Sequence, residues 1–99
     1  MNLKKSLIYK KLRDFAESND VGFLAVYGSY YRNTETENSD LDLIIESKNI
    51  KNYEILENYR NRLKQSLNKE VDLITPRQMI SSLLIGHVWR LKEYEVLYE

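Results

Sequence analysis

The sequence predicts an α/β domain whose small mixed sheet, of three to four strands, is flanked by helices in the order α-β-β-α-β-α-β. Apolar residues recur at helical spacing in three segments, and short apolar runs of strand length lie between these segments. A helical segment joins the second and third runs, and such a connection favours parallel strands with a right-handed crossover. The sheet should therefore contain both antiparallel and parallel neighbours.

The composition is that of an ordinary globular chain. Its 99 residues are enough for one domain with a modest core, and we expect that domain to span 1–99. Fifteen basic and fifteen acidic side chains cancel, so nothing favours broad binding to nucleic acid. The absence of cysteine excludes a disulfide framework and a thiolate metal site. No signal peptide or membrane-spanning stretch is evident, so we expect a cytoplasmic protein with neither a membrane nor a nucleic acid as its partner.

The first half of the chain predicts one helix and two strands. Residues 3–18 carry an apolar stripe at helical spacing, with most lysines off that stripe. Residues 21–27 are a short apolar run with β-branched and aromatic members, which predicts a buried strand. Residues 30–39 are polar and aperiodic, which predicts a loop, and residues 40–46 predict the second strand.

The second half predicts two further helices and one or two strands. Residues 49–67 have helical periodicity, with Asn49 as a candidate N-cap. Residues 70–75 predict the third strand. The third helix is predicted over 76–92, because a threonine followed by a proline is typical of a helix start. Residues 95–98 are expected to form a short edge strand.

The apolar faces of the three helices are predicted to be buried. They comprise Leu3, Leu7, Ile8, Leu12, Phe15 and Ala16 in the first helix, Ile50, Tyr53, Leu56, Tyr59, Leu63 and Leu67 in the second, and Ile80, Leu83, Leu84, His87, Val88 and Leu91 in the third. Glycine inside a helix costs about 1 kcal/mol relative to alanine. We therefore expect a bend or a close contact at Gly86.

Two carboxylates and a glycine-serine turn indicate the chemistry of the site. Asp40 and Asp42 are two residues apart in the second predicted strand, so their side chains point to the same face. Like charges on one face repel, and a hard divalent cation held by oxygen ligands is the usual remedy. Gly28-Ser29 ends the first strand with exposed backbone N–H groups, a geometry that accepts phosphate. Together these features predict a site for a metal and a nucleotide.

A third carboxylate is expected to join this pair. If the first two strands form an antiparallel hairpin, the Gly-Ser turn lies at the same sheet edge as the acidic pair. The second and third strands are predicted to be parallel, so Asp72 at the start of the third strand should lie beside Asp40 and Asp42. Glu70 shares a face with Asp72, but its place at the first position of the strand predicts a solvated side chain.

These residues resemble the motifs of the DNA polymerase β-type nucleotidyltransferase superfamily, and the chain is most similar to its small single-domain branch, the minimal nucleotidyltransferases. The pattern is an apolar strand, Gly-Ser, a spacer, Asp-apolar-Asp-apolar, and a third Asp on a later strand. In this sequence it is Tyr27-Gly28-Ser29, spacer 30–39, Asp40-Leu41-Asp42-Leu43 and Val71-Asp72-Leu73. Many members continue Gly-Ser-x-x-Arg-Gly. Here Arg32 is kept and Asn33 replaces the glycine, and asparagine tolerates left-handed backbone, so the loop shape should survive.

The resemblance implies a reaction and a role for each residue. A nucleoside monophosphate, with AMP from ATP as the family's usual choice, would pass to a hydroxyl and pyrophosphate would leave. Asp40 and Asp42 would position Mg²⁺ on the triphosphate, and Asp72 would share a metal and help to activate the hydroxyl in a two-metal site. Gly28 and Ser29 would bind the terminal phosphates. Arg32 would neutralise charge on the leaving group.

The resemblance also implies a partner. Members of this size resemble the antitoxin of toxin–antitoxin pairs whose toxin is a helical HEPN ribonuclease, and adenylylation of the toxin would silence it. The alternative is a binding module that keeps the fold and blocks its partner by contact alone. A small-molecule transferase is less favoured, because such enzymes carry an added helical domain.

Blander interpretations of single features stay open at this point. The acidic pair alone would fit a solvated strand edge, and the Gly-Ser turn alone would fit an ordinary turn. Arg32 would also fit a surface ion pair with Glu35 or Glu37. The lysines of the first helix are predicted to form a solvated face.

Overall fold

The computed structural model describes residues 2–81 and 86–99 and contains a four-stranded mixed sheet with helices packed on its two faces. Its elements are α1 (Asn2–Ser18), β1 (Phe23–Tyr27), α2 (Gly28–Arg32), β2 (Leu41–Glu46), α3 (Tyr53–Leu67), β3 (Val71–Ile74), α4 (Pro76–Ser81), α5 (Gly86–Leu91) and β4 (Glu95–Tyr98). The predicted α/β class and mixed sheet are confirmed. No helix among the described residues is long and apolar enough to cross a membrane.

The strand order is β3-β2-β1-β4, and the pairing agrees with the two rules used to predict it. β1 and β2 are an antiparallel hairpin in which Tyr27 is the Cα partner of Asp42. β2 and β3 are parallel, with Asp42 opposite Asp72. β4 pairs antiparallel with β1 and forms one edge of the sheet, so the predicted short edge strand at 95–98 is confirmed.

One face of the sheet holds most of the core. α1 and α3 cover it, and their predicted stripes supply Leu12, Ala16 and Leu63 to a single apolar cluster. The strands add to that cluster Val21, Leu24, Val26, Leu41, Leu43, Ile45, Val71, Leu73 and Leu97. Each large aliphatic side chain removed from water in this way contributes about 1.5–3 kcal/mol. Among the described residues, this face therefore supplies most of the apolar burial that stabilises the fold.

The opposite face carries a smaller cluster and the acidic residues. Ala25, Tyr27, Ile44 and Met79 are buried there, with Phe23, Ile74, Val88, Trp89 and Tyr94 packed against them. Gly86 allows a tight approach within this layer. A Cβ on Gly86 would lie 2.7 Å from the backbone oxygen of Met79, so the predicted close contact at Gly86 is confirmed.

The predicted loop 30–39 is wrong at its start, because Gly28–Arg32 forms the short helix α2. Gly28 has φ +71°, a left-handed conformation that turns the chain out of β1. Asn33 ends the helix with φ 60° and ψ 33°, and Thr34 N–H donates to the carbonyl of Ser29 at 2.9 Å. Asparagine thus adopts the left-handed conformation expected of it in the place of the family's glycine.

The second helix begins later than predicted. Asn52, not Asn49, is the N-cap of α3, and its side chain accepts a hydrogen bond from Ile55 N–H at 3.0 Å. Asn49 instead lies in the turn after β2, where its N–H donates to the Ser47 hydroxyl. Both asparagines fit the capping rule, but the three-residue offset leaves Tyr53 at the first helical position, 69% exposed rather than buried.

Four more predicted burials are wrong. Leu7, Ile80 and Leu91 lie at the margins of their helices' apolar stripes and are 54%, 72% and 56% exposed. His87 is exposed as well. α4 and α5 lie within the predicted helix 76–92, while residues 82–85, including the predicted Leu83 and Leu84, lie outside the described residues. The Leu3 side chain lies outside them too.

Candidate active site

Asp42 and Asp72 lie side by side at one edge of the sheet. They are Cα partners on the neighbouring parallel strands β2 and β3, so their side chains leave the same face of the sheet. Asp42 is half-buried between β1 and β3, whereas Asp72 on the outer strand is exposed. One carboxylate of the pair is thus sheltered and the other faces solvent.

Asp40 lies one residue before β2 and is exposed. It is two residues from Asp42, and its negative charge contributes to raising the Asp42 pKa, so the two carboxyl groups are close enough to interact. The structure therefore brings the three sequence-predicted carboxylates to one edge of the sheet.

Gly28 lies directly against the Asp42 carboxylate. A Cβ on Gly28 would collide with a carboxylate oxygen of Asp42, and Gly28 also has a positive φ that L-residues rarely adopt. Only glycine combines this conformation with this approach. The predicted phosphate-binding turn and the predicted metal ligand are therefore in contact through the backbone of Gly28.

Ser29 and Arg32 lie on α2, immediately after Gly28. Ser29 is partly buried and Arg32 is exposed. Arg32 has no ion pair with either Glu35 or Glu37 among the described residues; Glu35 instead lies 3.6 Å from the ammonium of Lys5. The positive charge of Arg32 acts on Asp42, where it opposes the rise in pKa. Arg32 is thus near enough to Asp42 for the two charges to interact.

The site carries an excess of negative charge. Burial, followed by the charges of Asp72 and Asp40, raises the pKa of Asp42 to about 6, and Arg32 offsets only part of that rise. Burial, followed by the charges of Asp72 and Asp42, raises the pKa of the Tyr27 hydroxyl above its ordinary value. The Tyr27 phenol, buried in the smaller cluster, therefore also lies within the electrostatic field of the Asp42–Asp72 pair.

The donor set fits a hard cation that shares its ligands with a substrate. No three His, Cys, Asp or Glu side chains are arranged to hold a metal ion by themselves in the part of the chain that the structure describes. Mg²⁺ does not require such a cage, because it keeps several waters and is commonly held by one or two carboxylates together with phosphate oxygens. The Asp42–Asp72 pair, with its surplus charge, provides that kind of half-site.

Sequence reasoning missed two lysines beside the site. The lysines of α1 were predicted to form a solvated face, but Lys5 donates to the carbonyl of Tyr30 at 2.8 Å and to Asn33 Oδ1 at 2.6 Å. Lys69, in the turn before β3, donates to two carbonyls of the segment that precedes Asp40. Because these contacts join distant parts of the chain, no local sequence pattern predicts them.

Residues 10–99 match the family model described as "Polymerase beta, Nucleotidyltransferase". The chain belongs to this family. The predicted resemblance is confirmed, and the protein is a nucleotidyltransferase. Two relatives from Methanocaldococcus jannaschii, whose names mark them as inferred protein adenylyltransferases, are 32% and 35% identical to it, each over 71 residues. These matches cover 72% of this nucleotidyltransferase in both cases, and 83% and 72% of the relatives.

Solved structures of toxin–antitoxin complexes share the fold of this nucleotidyltransferase. A toxin–antitoxin with AMP-PNP matches with a TM-score of 0.73 at 20% identity, over 91% of this chain and 72% of that chain. The MntA–HepT toxin–antitoxin matches with a TM-score of 0.67 at 17% identity, over 94% and 71%. The tri-AMPylated Shewanella oneidensis HEPN toxin in complex with MNT antitoxin matches with a TM-score of 0.67 at 16% identity, over 94% and 71%.

Proposed function

We propose that this protein transfers AMP from ATP to a hydroxyl group of a partner protein, with Asp42, Asp72 and Asp40 as the catalytic carboxylates. The observation that carries the proposal is the Asp42–Asp72 pair, in register on parallel strands, with the backbone of Gly28 packed against it. Two carboxylates of unlike exposure beside a glycine turn are what a reaction between a bound triphosphate and an external hydroxyl needs.

The unlike exposure of the two carboxylates divides their work. Asp42 faces the glycine turn, and with Asp40 it would hold Mg²⁺. Asp72 is exposed on the outer strand, so an acceptor hydroxyl can approach it from solvent. Mg²⁺ supplies charge neutralisation on the phosphates and, when shared between carboxylates, lowers the barrier to deprotonating the hydroxyl. A groove beside Asp72, lined by Tyr53, Arg60 and Gln78, leaves room for the acceptor.

The bond changes follow from this placement. The acceptor oxygen forms a bond to the α-phosphorus, the bond from that phosphorus to the bridging oxygen breaks, and pyrophosphate leaves. The hydroxyl proton passes to the Asp72 carboxylate. Gly28 and Ser29 hold the terminal phosphates, and the Arg32 guanidinium faces the charge that develops on pyrophosphate.

The partner class comes from similarity. The relatives from Methanocaldococcus jannaschii are named for protein adenylylation, and one structural neighbour is a complex with an AMPylated HEPN toxin. We infer that this chain acts as the antitoxin of such a pair and silences a HEPN ribonuclease by adenylylating it. A nucleotide analogue in another neighbour supports ATP as the donor.

Transfer of label from ATP tests the proposal. The protein is incubated with α-³²P-ATP and Mg²⁺, with and without the HEPN-type protein encoded beside it, and covalent label is read on a denaturing gel. We expect label on the partner with the wild type and none with Asp42→Asn. Asp14→Asn is the matched control, because Asp14 is an exposed carboxylate of α1 that pairs only with Lys10 among the described residues.

Two results would contradict the proposal. One is undiminished labelling by Asp42→Asn. The other is inhibition of the partner's ribonuclease activity by wild type and Asp42→Asn alike with no label transferred, which would support the alternative of a binding module.

A further inference from the structure

The segment 33–40, which joins α2 to β2, is held at its far end by Lys69. The Lys69 ammonium donates to the carbonyl of Ser39 at 2.8 Å and to the carbonyl of Glu37 at 3.1 Å. It also lies 5.6 Å from the centre of the Tyr30 ring. Lys69 is only partly exposed, so these are not the contacts of a freely moving surface lysine.

The near end of the same segment is held by Lys5. Its ammonium donates to the carbonyl of Tyr30 and the side chain of Asn33, and it lies 5.9 Å from the centre of the Tyr30 ring. The buried Tyr30 ring thus contacts a lysine from each of two distant elements. The two lysines therefore anchor both ends of the chain segment that joins α2 to β2.

The peptide groups on the two sides of Asp40 are each held by a hydrogen bond with the turn before β3. The Ser39 carbonyl belongs to the peptide bond that enters Asp40, and Lys69 binds it. The N–H of Leu41 belongs to the peptide bond that leaves Asp40, and it donates to the carbonyl of Glu70 at 3.0 Å. Adjacent residues of the turn before β3 therefore hold both sides of Asp40. Within the described part of the chain, the Asp40 carboxylate accepts no hydrogen bond of its own, so its place depends on this backbone.

We propose that Lys69 is a positioning residue for nucleotidyl transfer: through the Ser39 and Glu37 carbonyls it fixes Asp40 relative to Asp42 and Asp72. This inference rests on the proposed function, since it assigns Asp40 to the metal-binding carboxylates. The same turn leads directly into β3, so Lys69 ties the Asp40 end of the loop to the strand that bears Asp72.

Three variants test this role. Lys69→Met removes the donor at nearly constant length, and Lys69→Arg keeps a long cationic donor. Lys51→Met is the matched control, because Lys51 is exposed and has no hydrogen bond or ion pair among the residues described. If Lys69→Met fails to fold by circular dichroism, Lys69→Gln takes its place in every measurement.

Two measurements are made on each variant. The first is amide hydrogen exchange across 36–41 without metal or nucleotide, which reads the backbone alone. We expect at least about tenfold faster exchange at Leu41 and its neighbours in Lys69→Met.

The second measurement is the rate of AMP transfer against Mg²⁺ and ATP concentration. We expect kcat about tenfold lower, a several-fold higher Mg²⁺ requirement and little change in the KM for ATP, because a misplaced ligand weakens the reactive complex. Lys69→Arg should recover most of both losses.

Several outcomes would overturn the inference. Unchanged exchange across 36–41 in Lys69→Met shows that the lysine does not hold the segment. A raised KM for ATP with unchanged kcat shows that Lys69 contacts the nucleotide instead. An arginine variant as impaired as the methionine variant also counts against it. If the wild type transfers no AMP, the proposed function fails, while the exchange data still decide whether Lys69 orders the backbone at Asp40.

Discussion

The two faces of the sheet differ in what they bury. The face beneath α1 and α3 holds a continuous apolar cluster with fully buried members such as Leu12, Leu24 and Leu43. Within residues 2–81 and 86–99, the opposite face buries Ala25, Tyr27, Ile44 and Met79, and it ends in carboxylates that repel one another. Among the described residues, most of the apolar burial therefore lies on one face of the sheet, and the paired carboxylates of Asp42 and Asp72 lie on the other.

The largest expected effect separates two acidic residues at the same end of β3. Asp72→Asn should lower the rate of AMP transfer by about 10³-fold, roughly 4 kcal/mol, because it removes the proposed metal ligand beside Asp42. The rate of AMP transfer by Glu70→Gln should stay within about twofold of the wild-type rate, because the Glu70 side chain is solvated and forms an ion pair with Lys64 at 2.8 Å. Initial rates with labelled ATP measure both. Equal losses in the two variants would contradict the choice of Asp72.

The next effect concerns the stabilising face. Leu12→Ala should reduce the free energy of unfolding by about 2–5 kcal/mol, because it leaves a cavity in the core beneath α1. Leu7→Ala, on the same helix but 54% exposed, should cost less than about 1 kcal/mol. Urea denaturation followed by circular dichroism gives both values. A similar cost for the two leucines would mean that α1 presents a different face to the sheet.

Two glycine variants test the contact between the predicted phosphate-binding turn and the predicted metal ligand Asp42. Gly28→Ala should lower the free energy of unfolding by about 1–2 kcal/mol, because alanine disfavours the left-handed backbone conformation. The new Cβ should also displace the Asp42 carboxylate, so the rate of AMP transfer should fall by more than the loss of stability alone explains. Gly22→Ala is the control, because a Cβ there meets only the Glu46 carbonyl at 3.8 Å. Thermal melts and transfer rates are compared. Full activity in Gly28→Ala would show that Asp42 need not keep its present position.

The smallest effect is a pH dependence of stability without metal. The folded pKa of Asp42, about 6, exceeds its unfolded value of about 3.9, so the folded state binds the proton more tightly. The resulting stabilisation is complete below about pH 4 and is lost as the pH rises through about 6. Asp42→Asn should therefore match the wild type at pH 4 and be more stable at pH 7.5. The difference should be about 1 kcal/mol after discounting for partial exposure, or about 4–8 °C in Tm.

Melting curves in the presence of a chelator test this pH dependence. Added Mg²⁺ and ATP should raise the Tm of the wild type more than that of Asp42→Asn. A variant that is less stable than the wild type at pH 7.5 without metal would contradict the repulsion inferred at the acidic pair.

The strands and their register were predictable because they follow general rules. Apolar runs marked β1 and β2, and the helical crossover required a parallel β3, so Asp72 had to come to the edge that carries Asp42. Side-chain alternation then determined which face both carboxylates share. None of this required knowledge of tertiary contacts.

The errors lie where local signals are short or ambiguous. α2 is only five residues long, which is too short for a periodic pattern, so the sequence predicts a loop at 30–32. Asn49 and Asn52 both fit an N-cap, and only packing selects the second. Lys69 gave no signal, because its partners at Glu37 and Ser39 are about thirty residues away along the chain. Contacts of this kind depend on the assembled fold and leave no mark in a window of sequence.

The border position of β3 has a consequence for solubility. Among the described residues its only strand neighbour is β2, which leaves one row of its peptide groups open to another chain. A charged side chain on such a strand discourages stacking of one copy on the next. Asp72 is exposed on this strand, so neutralising it for enzymology should favour precipitation in concentrated samples.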